Sequence, residues 1–352
     1  MELTGKTDLR ALTFEELSEV LQEHNLPSFR TKQIYDWLHK KCVDDFEEMT
    51  NLSKDMRTLL STCYTIRRVH LEEVLVSSAD GTRKYLFSLA DGHIIESVFM
   101  RYEHGNSVCV SSQVGCRMGC RFCASTVDGL VRNLDAGEIL GQIYEIMKET
   151  GERISNVVVM GSGEPLDNFD EIVRFIRMLS DERGLHISQR NITVSTCGIV
   201  ENMKRLADIS FQITLAISLH ASSDEKRRRL MPIANKYTIA EILDACRYYF
   251  DKTGRRLTFE YSLVAGENDS AEDAKELSRL LKDINCHVNL IPVNPIKERS
   301  YRQSDKEAIM QFKNKLEKNH INVTIRREMG RDIGGACGQL RRRYLLERSG
   351  VC

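Results

Sequence analysis

Three cysteines fall together in the run Val114-Gly115-Cys116-Arg117-Met118-Gly119-Cys120-Arg121-Phe122-Cys123, with the spacing C-x3-C-x2-C. Thiolates this close in sequence can wrap one polynuclear iron cluster, and they supply one ligand fewer than the usual four. A cluster held by three cysteines leaves one iron open to a small molecule. Structural zinc sites instead bring two separated ligand pairs, and no second pair follows Cys123.

The elements that must position this loop can be read from the surrounding chain. Its 352 residues are 41% hydrophobic and 29% charged, which is ordinary globular composition, and the length favours about two domains. Glu2, Lys6, Asp8 and Arg10 interrupt any apolar leader, and no apolar run approaches the roughly 18 residues that span a bilayer. A soluble, cytoplasmic protein is expected, in a compartment where eleven cysteines and a labile cluster survive. The net charge of −1 does not suggest a nucleic-acid binder, although Lys226-Arg227-Arg228-Arg229, Arg326-Arg327, Arg331 and Arg341-Arg342-Arg343 concentrate positive charge in the later half. These runs are either solvated helix faces or contacts to phosphate.

From Leu12 to about Leu60 the pattern is helical, with Thr13-Phe14-Glu15-Glu16 reading as a capped start and Ile34, Trp37 and Leu38 recurring at helical spacing. The stretch from Phe29 to Trp37 mixes aromatic and basic residues; a packed helix with a polar outer face is favoured over a surface facing RNA. Strand-like runs follow at Val74 to Ser77 and Lys84 to Leu89, joined by Ala79-Asp80-Gly81. They predict a sheet edge or small barrel between the helical part and the rest.

Beyond about Ile94, strands and helices alternate. Strands are predicted at Ser107–Ser112, Asn156–Met160, Asn191–Ser195, Gln212–Ser218, Leu257–Leu263, His287–Val293 and Ile321–Ile325, with helices such as Asp135–Glu149 between them. Such alternation predicts a parallel sheet with right-handed crossovers and chemistry at the carboxyl ends of its strands. Roughly six βα units are too few to close an eight-stranded barrel, so an open, partial barrel is expected. Polar residues stand at those strand ends: Gly163-Glu164 after Asn156–Met160, then Ser195, then Ser218-Leu219-His220, then Asn294. The glycines would let a ligand approach the backbone, and Glu164 could accept from an ammonium group.

Taken together, these residues resemble the RlmN/Cfr family of radical S-adenosylmethionine (SAM) RNA methyltransferases over nearly the whole length. The marks are Cys109-Val110-Ser111-Ser112-Gln113-Val114-Gly115-Cys116 and the cysteine loop, Arg132-Asn133-Leu134, Gly163-Glu164-Pro165-Leu166, Leu219-His220-Ala221, Asn289-Leu290-Ile291-Pro292 with Asn294-Pro295, and Ala336-Cys337-Gly338-Gln339-Leu340. Ser162 departs from the methionine many members carry, and Gly334 from a frequent aspartate. Neither position supplies a cluster ligand or the reactive thiol.

The resemblance implies an α/β fold: a radical-SAM partial (β/α)6 barrel at 94–326, a small helical accessory domain that binds RNA at 1–93 with a short β linker, and a C-terminal segment at 327–352. It implies that Cys116, Cys120 and Cys123 hold a 4Fe-4S cluster, and that Gly163, Glu164, Ser195, Ser218, Leu219, His220 and Asn294 bind SAM. Two SAM molecules would be used per turnover. Cys337 would take a methyl group from the first, and a radical made from the second would abstract hydrogen from that methyl. The carbon radical would add to C2 of an adenine, Glu96 would remove the C2 proton, and Cys109 would release the product by forming a disulfide bond with Cys337. The implied partners are large-subunit ribosomal RNA, tRNA and an external low-potential electron donor, with no membrane and a monomeric chain. The nearest alternative is methylation at C8 of the same adenine, against which Pro165 speaks. A non-catalytic, metal-containing RNA-binding module is the alternative of another class; it has no use for Cys337 in its glycine-rich setting.

Overall fold

The computed structural model describes residues 5–294, 301–334, 340, 341, 343 and 344. Helices α1 (Phe14–Gln22), α2 (Phe29–His39) and α3 (Lys54–Cys63) form the N-terminal part. Thr13 starts α1 as a capping box: its hydroxyl accepts from the Glu16 amide, and the Glu16 carboxylate accepts from the Thr13 amide at 2.8 Å. Such a cap contributes about 1 kcal/mol. Leu17 and Leu21 of α1 pack with Ile34, Tyr35 and Leu38 of α2 in a core separate from that of the sheet. The outer side of α2 leaves Phe29 54% exposed beneath the Arg30 guanidinium, and Lys41 sits over the Trp37 ring at 3.3 Å.

Polar bonds fix this part to the remainder. The fully buried Arg10 holds the Val43 carbonyl at 2.6 Å and Asp44 at 3.1 Å; Asp44 in turn pairs with Lys148 at 2.7 Å, and Arg67 reaches Asp135 at 3.1 Å. His39 bonds the Tyr144 hydroxyl at 2.7 Å.

One ten-stranded sheet dominates. Its strands are β1 (His70–Val76), β2 (Arg83–Ser88), β3 (Ile94–Tyr102), β4 (Gly105–Cys109), β5 (Asn156–Val159), β6 (Ile192–Thr196), β7 (Thr214–Ser218), β8 (Leu257–Leu263), β9 (Cys286–Pro292) and β10 (Asn322–Ile325). They lie side by side in chain order. β1 to β4 pair antiparallel; β4 to β10 pair parallel, with helices in the crossovers. The sheet is an open, partial barrel: no pairing joins β10 to β1 among the described residues. The seven parallel strands fall where alternation in the sequence predicts them. The strand Ile94–Tyr102 is not among those predicted; through it the β1–β2 hairpin continues the main sheet rather than forming a separate barrel.

Alternation along each strand gives the sheet two faces. Val194, Leu215, Ile217, Phe259, Leu290 and Val323 lie on the helix-covered side in the main core. Register puts the other residues on the opposite, concave side: Cys109 pairs with Val158, Val158 with Thr193, Ser195 with Ala216, Ser218 with Glu260, Glu260 with Asn289, and Asn289 with Thr324. Polar groups therefore line the concave face.

Candidate active site

The cysteine loop leaves the short strand Gln113–Gly115, which pairs with Leu130–Asn133. Gly115 has φ +78, and a Cβ there would stand 2.0 Å from the Gly129 carbonyl oxygen; only glycine fits this crossing. The Cys116 amide donates to that same carbonyl at 2.9 Å. Thr126 closes the loop from inside, its hydroxyl donating to the carbonyls of Cys120 at 2.9 Å and Cys123 at 3.0 Å. Cys116 is buried, and Cys120 and Cys123 are half-buried. Desolvation, with the neighbouring Cys123, pushes the Cys116 thiol up to about 12 and raises Cys120 well above the usual thiol range. Among the described residues no three His, Cys, Asp or Glu side chains converge on a single metal ion. Thiols around a cubane each ligate a different iron and stand farther apart than the ligands of one ion.

Next to this loop, β5 ends at Val159 and the chain turns through Gly161-Ser162-Gly163-Glu164. Gly163 has φ +110, and a Cβ would meet the Ser112 hydroxyl at 2.7 Å and the Gln113 amide at 2.8 Å. Gly163→Ala is therefore expected to destabilise the fold by about 1–3 kcal/mol from backbone strain alone. Urea unfolding measures it, and an unchanged midpoint would show that the turn has room. The buried Glu164 carboxylate accepts from the amides of Cys197 at 2.7 Å and Leu166 at 3.1 Å, and the Glu164 amide donates to the Gln113 side chain at 2.9 Å. Burial raises its pKa against these bonds.

The other strand-end residues follow across the sheet. Ser195 on β6 donates to the Val159 carbonyl at 3.1 Å, and Ser218 closes β7. Leu219 is fully buried. His220 has φ +54; its Nδ1 accepts from the Ser262 amide at 2.8 Å, and its ring meets Phe122 of the cysteine loop edge-on at 4.9 Å. Asn294 is exposed beyond β9. The structure thus brings the loop, Glu164 and His220 around the carboxyl ends of the parallel strands, where open α/β sheets bind ligands.

His220 also predicts an acid response. Burial, then Arg227, lowers it from 6.5 to about 3, and burial with Arg10 does the same to His39. Below about 6.5 the unfolded chain binds more protons than the folded one, so each histidine removes up to about 1.4 kcal/mol of stability per pH unit as pH falls toward 3. Asp8, raised to about 6 by burial and Asp135, acts in the opposite sense between 6 and 3.8 and offsets about one histidine. His220→Asn keeps an acceptor and tolerates the left-handed backbone. Its thermal midpoint should fall less steeply between pH 6 and pH 4 than the parent's; parallel curves would contradict this.

On the antiparallel side, Glu96 of β3 and Cys109 of β4 share the concave face: Cys109 lies opposite Val98, two residues along from Glu96. Both are buried. The Glu96 carboxylate sits 3.1 Å from the buried Lys84 ammonium and accepts from the Arg341 amide at 2.9 Å; Lys84 also donates to the Gly334 carbonyl at 2.9 Å. Met329 packs against Cys109, and Leu340 against Leu86 and Ile94. Cys337 lies outside the described residues, between two described flanks that both bond to the Lys84–Glu96 pair.

Several residues here escape a reading of the sequence: Lys84, Gln113, Cys197, Arg227 and Glu260. Cys197, two residues after Ser195 and beside Glu164, is within reach of the strand-end argument; the others depend on distant partners. The basic runs divide: Arg228, Arg229, Arg326, Arg327 and Arg331 are exposed, while other members are engaged within the fold. Lys226 pairs with Asp273 at 2.7 Å, Arg341 is buried with its Nε on the Ile94 carbonyl, and Arg343 reaches Glu73 at 2.9 Å.

Comparison with known proteins agrees with this geometry. Residues 110–281 match the Radical SAM superfamily, and residues 7–66 match the ribosomal RNA large subunit methyltransferase N-terminal domain. The fold and loop thus define a radical SAM methyltransferase, the class of a crystal structure from Sphaerobacter thermophilus with 42% identity and a TM-score of 0.90, covering 95% of this chain and 98% of that one. Relatives named as dual-specificity RNA methyltransferase RlmN include those of Lachnospira eligens, 63% identical over 341 residues (96% of this chain, 97% of the relative), and Clostridium perfringens strain 13, 58% identical over 336 residues (96% and 97%). The chain belongs to the RlmN family of radical SAM RNA methyltransferases. The superfamily works with SAM and a 4Fe-4S cluster. The donor set fits the cluster: three thiols in one loop, each within the electrostatic reach of another.

Proposed function

We propose that this protein methylates C2 of an adenine in the peptidyl-transferase region of 23S ribosomal RNA, and of the adenine 3′ of the anticodon in tRNA. The observation that carries this reading is the register that sets Glu96, Cys109, Ser195 and Ser218 on one concave face, with the three-cysteine loop at the strand ends beside it. That is one base, one thiol and a ligand-binding rim on a single surface. Adenine C2 is an electron-poor sp² carbon and does not attack a sulfonium as a nucleophile, so a carbon radical is the chemically reasonable route.

Cys116, Cys120 and Cys123 would hold a 4Fe-4S cluster, which when bound would supply the electron for reductive cleavage of SAM. The remaining work belongs to side chains of this chain. Gly163 and Glu164 give a close backbone approach and a buried carboxylate for the SAM amino group, flanked by Ser195, Ser218, Leu219, His220 and Asn294. Cys337 carries the methyl group, as a thiolate that displaces it from a first SAM. Glu96 accepts the C2 proton, and its carboxylate is held in place by Lys84 and the Arg341 amide. Cys109 attacks the Cys337 sulfur, which frees the methylated base and leaves a disulfide for reduction. Two SAM molecules are consumed per turnover, an external donor supplies electrons, and the exposed Phe29 and half-buried Arg30 of α2, with the exposed Lys41 just past its end, offer stacking and charge to RNA. The chain acts as a monomer in the cytoplasm. No described helix is long and apolar enough to cross a membrane.

Nucleoside mass spectrometry of rRNA and tRNA from a strain lacking the gene tests this directly. 2-Methyladenosine should vanish and return with the gene; unchanged 2-methyladenosine, or loss of an 8-methyl isomer instead, would overturn the reading.

A further inference from the structure

Helix α4 (Asp224–Leu230) carries the run Lys226-Arg227-Arg228-Arg229, and its members have different fates. Arg228 and Arg229 are exposed, whereas Arg227 is 0% exposed. Its guanidinium donates to the carbonyls of Cys197 at 2.6 Å, Leu219 at 3.2 Å and Tyr237 at 3.4 Å. All three acceptors are neutral, and among the described residues no carboxylate stands within salt-bridge distance. A fully buried cation without a counter-charge is strongly disfavoured, so the working molecule must place negative charge beside it.

The neighbours show where that charge arises. Cys197 and Cys120 lie within electrostatic reach of the guanidinium, as does Asp224, whose carboxylate is engaged by the Ile239 amide at 2.8 Å. The end of α4 is also the wall of the cysteine loop: the Arg121 amide donates to the Leu230 carbonyl at 2.9 Å, Leu230 and Met231 pack with Met118, Cys120 and Phe122, and Gly119 lies against Pro232. When the loop thiols become cluster-bound thiolates, the missing anion appears next to Arg227.

We infer that Arg227 is the built-in counter-charge of the cluster and sets how readily it is reduced. This rests on the radical SAM reading above. Reduction adds an electron beside a fixed positive charge in a low-dielectric wall, so Arg227 favours the reduced state and raises the potential. It acts through the cluster's electrostatics and is a positioning residue, not a ligand.

The test is a redox titration of the reconstituted protein without SAM, followed by electron paramagnetic resonance, with iron content measured in parallel. Arg227→Gln keeps donors without charge, and Arg227→Lys keeps charge with fewer donors; Arg227→Met is the second neutral variant should Gln fail to accumulate. The neutral variants should shift the reduction equilibrium at least tenfold toward the oxidised cluster, about 59 mV for one electron. Arg227→Lys should stay within that interval of the parent. A loaded neutral variant with the parent's potential, or an equal shift in Lys and neutral variants, would overturn the inference and leave a purely structural arginine. If the unmodified protein takes up no cluster, the reading beneath it falls as well.

Discussion

Cys120→Ala is expected to hold no SAM-competent cluster and to form no detectable 5′-deoxyadenosine. The loop around Cys120 is organised by its backbone: the carbonyl accepts from the Thr126 hydroxyl and from the Cys123 amide at 3.1 Å. Removing the sulfur leaves those bonds in place, so the fold should change by no more than about 1 kcal/mol, as for most substitutions that break no network. Two remaining cysteines cannot hold a cubane with one open iron. Iron analysis and 5′-deoxyadenosine yield should therefore collapse together while the unfolding curve stays close to the parent's. Near-normal iron in this variant would remove the three-cysteine assignment.

The second large effect separates the two thiols of the proposed cycle. Cys337→Ala should accept no methyl group while keeping its cluster, because the carrier is gone and the cysteine loop is untouched. Cys109→Ala should still be methylated at Cys337 and should still bond to RNA, and it should then stall. Cys109 is buried on the concave face against Val98, Val158 and Met329, well placed to meet a sulfur delivered to that face and unsuited to attack anything in solution. Without it, nothing breaks the sulfur–carbon link. A denaturing gel of Cys109→Ala from cells, with and without ribonuclease, should show an RNA-dependent upshift, and peptide mass spectrometry should place the nucleotide on Cys337. Full turnover by Cys109→Ala would show that another thiol resolves the intermediate.

Much of this site is legible in the amino-acid sequence because its parts are local. The cysteine loop is contiguous, and four of the parallel strands run on into the polar residues Glu164, Ser195, Ser218 and Asn294. β3 escapes for a physical reason: Ile94 to Met100 is buried on both faces, so the run does not alternate, and Glu96 within it reads as an interruption. Glu96 is tolerated there because Lys84, on the neighbouring strand, neutralises it inside the sheet. Arg227 is hidden differently. In sequence it is one of four basic residues on a short helix, and only the packing of α4 against the cysteine loop separates the buried member from its exposed neighbours. Residues whose role depends on a partner 30 or more positions away, such as Arg227 with Cys197, leave no local signature.

The central claim, methyl transfer through a protein thiol by a carbon radical, is tested most directly with SAM bearing a fully deuterated methyl group and an rRNA fragment containing the target adenine. The methyl would pass intact to Cys337, lose one deuterium to the 5′-deoxyadenosyl radical, and reach C2 as a two-deuterium unit. Mass spectrometry should find 2-methyladenosine with two deuterons and 5′-deoxyadenosine with one. A product carrying all three deuterons would mean direct displacement from SAM, and the roles assigned to Cys337, Cys109 and the cluster would be contradicted.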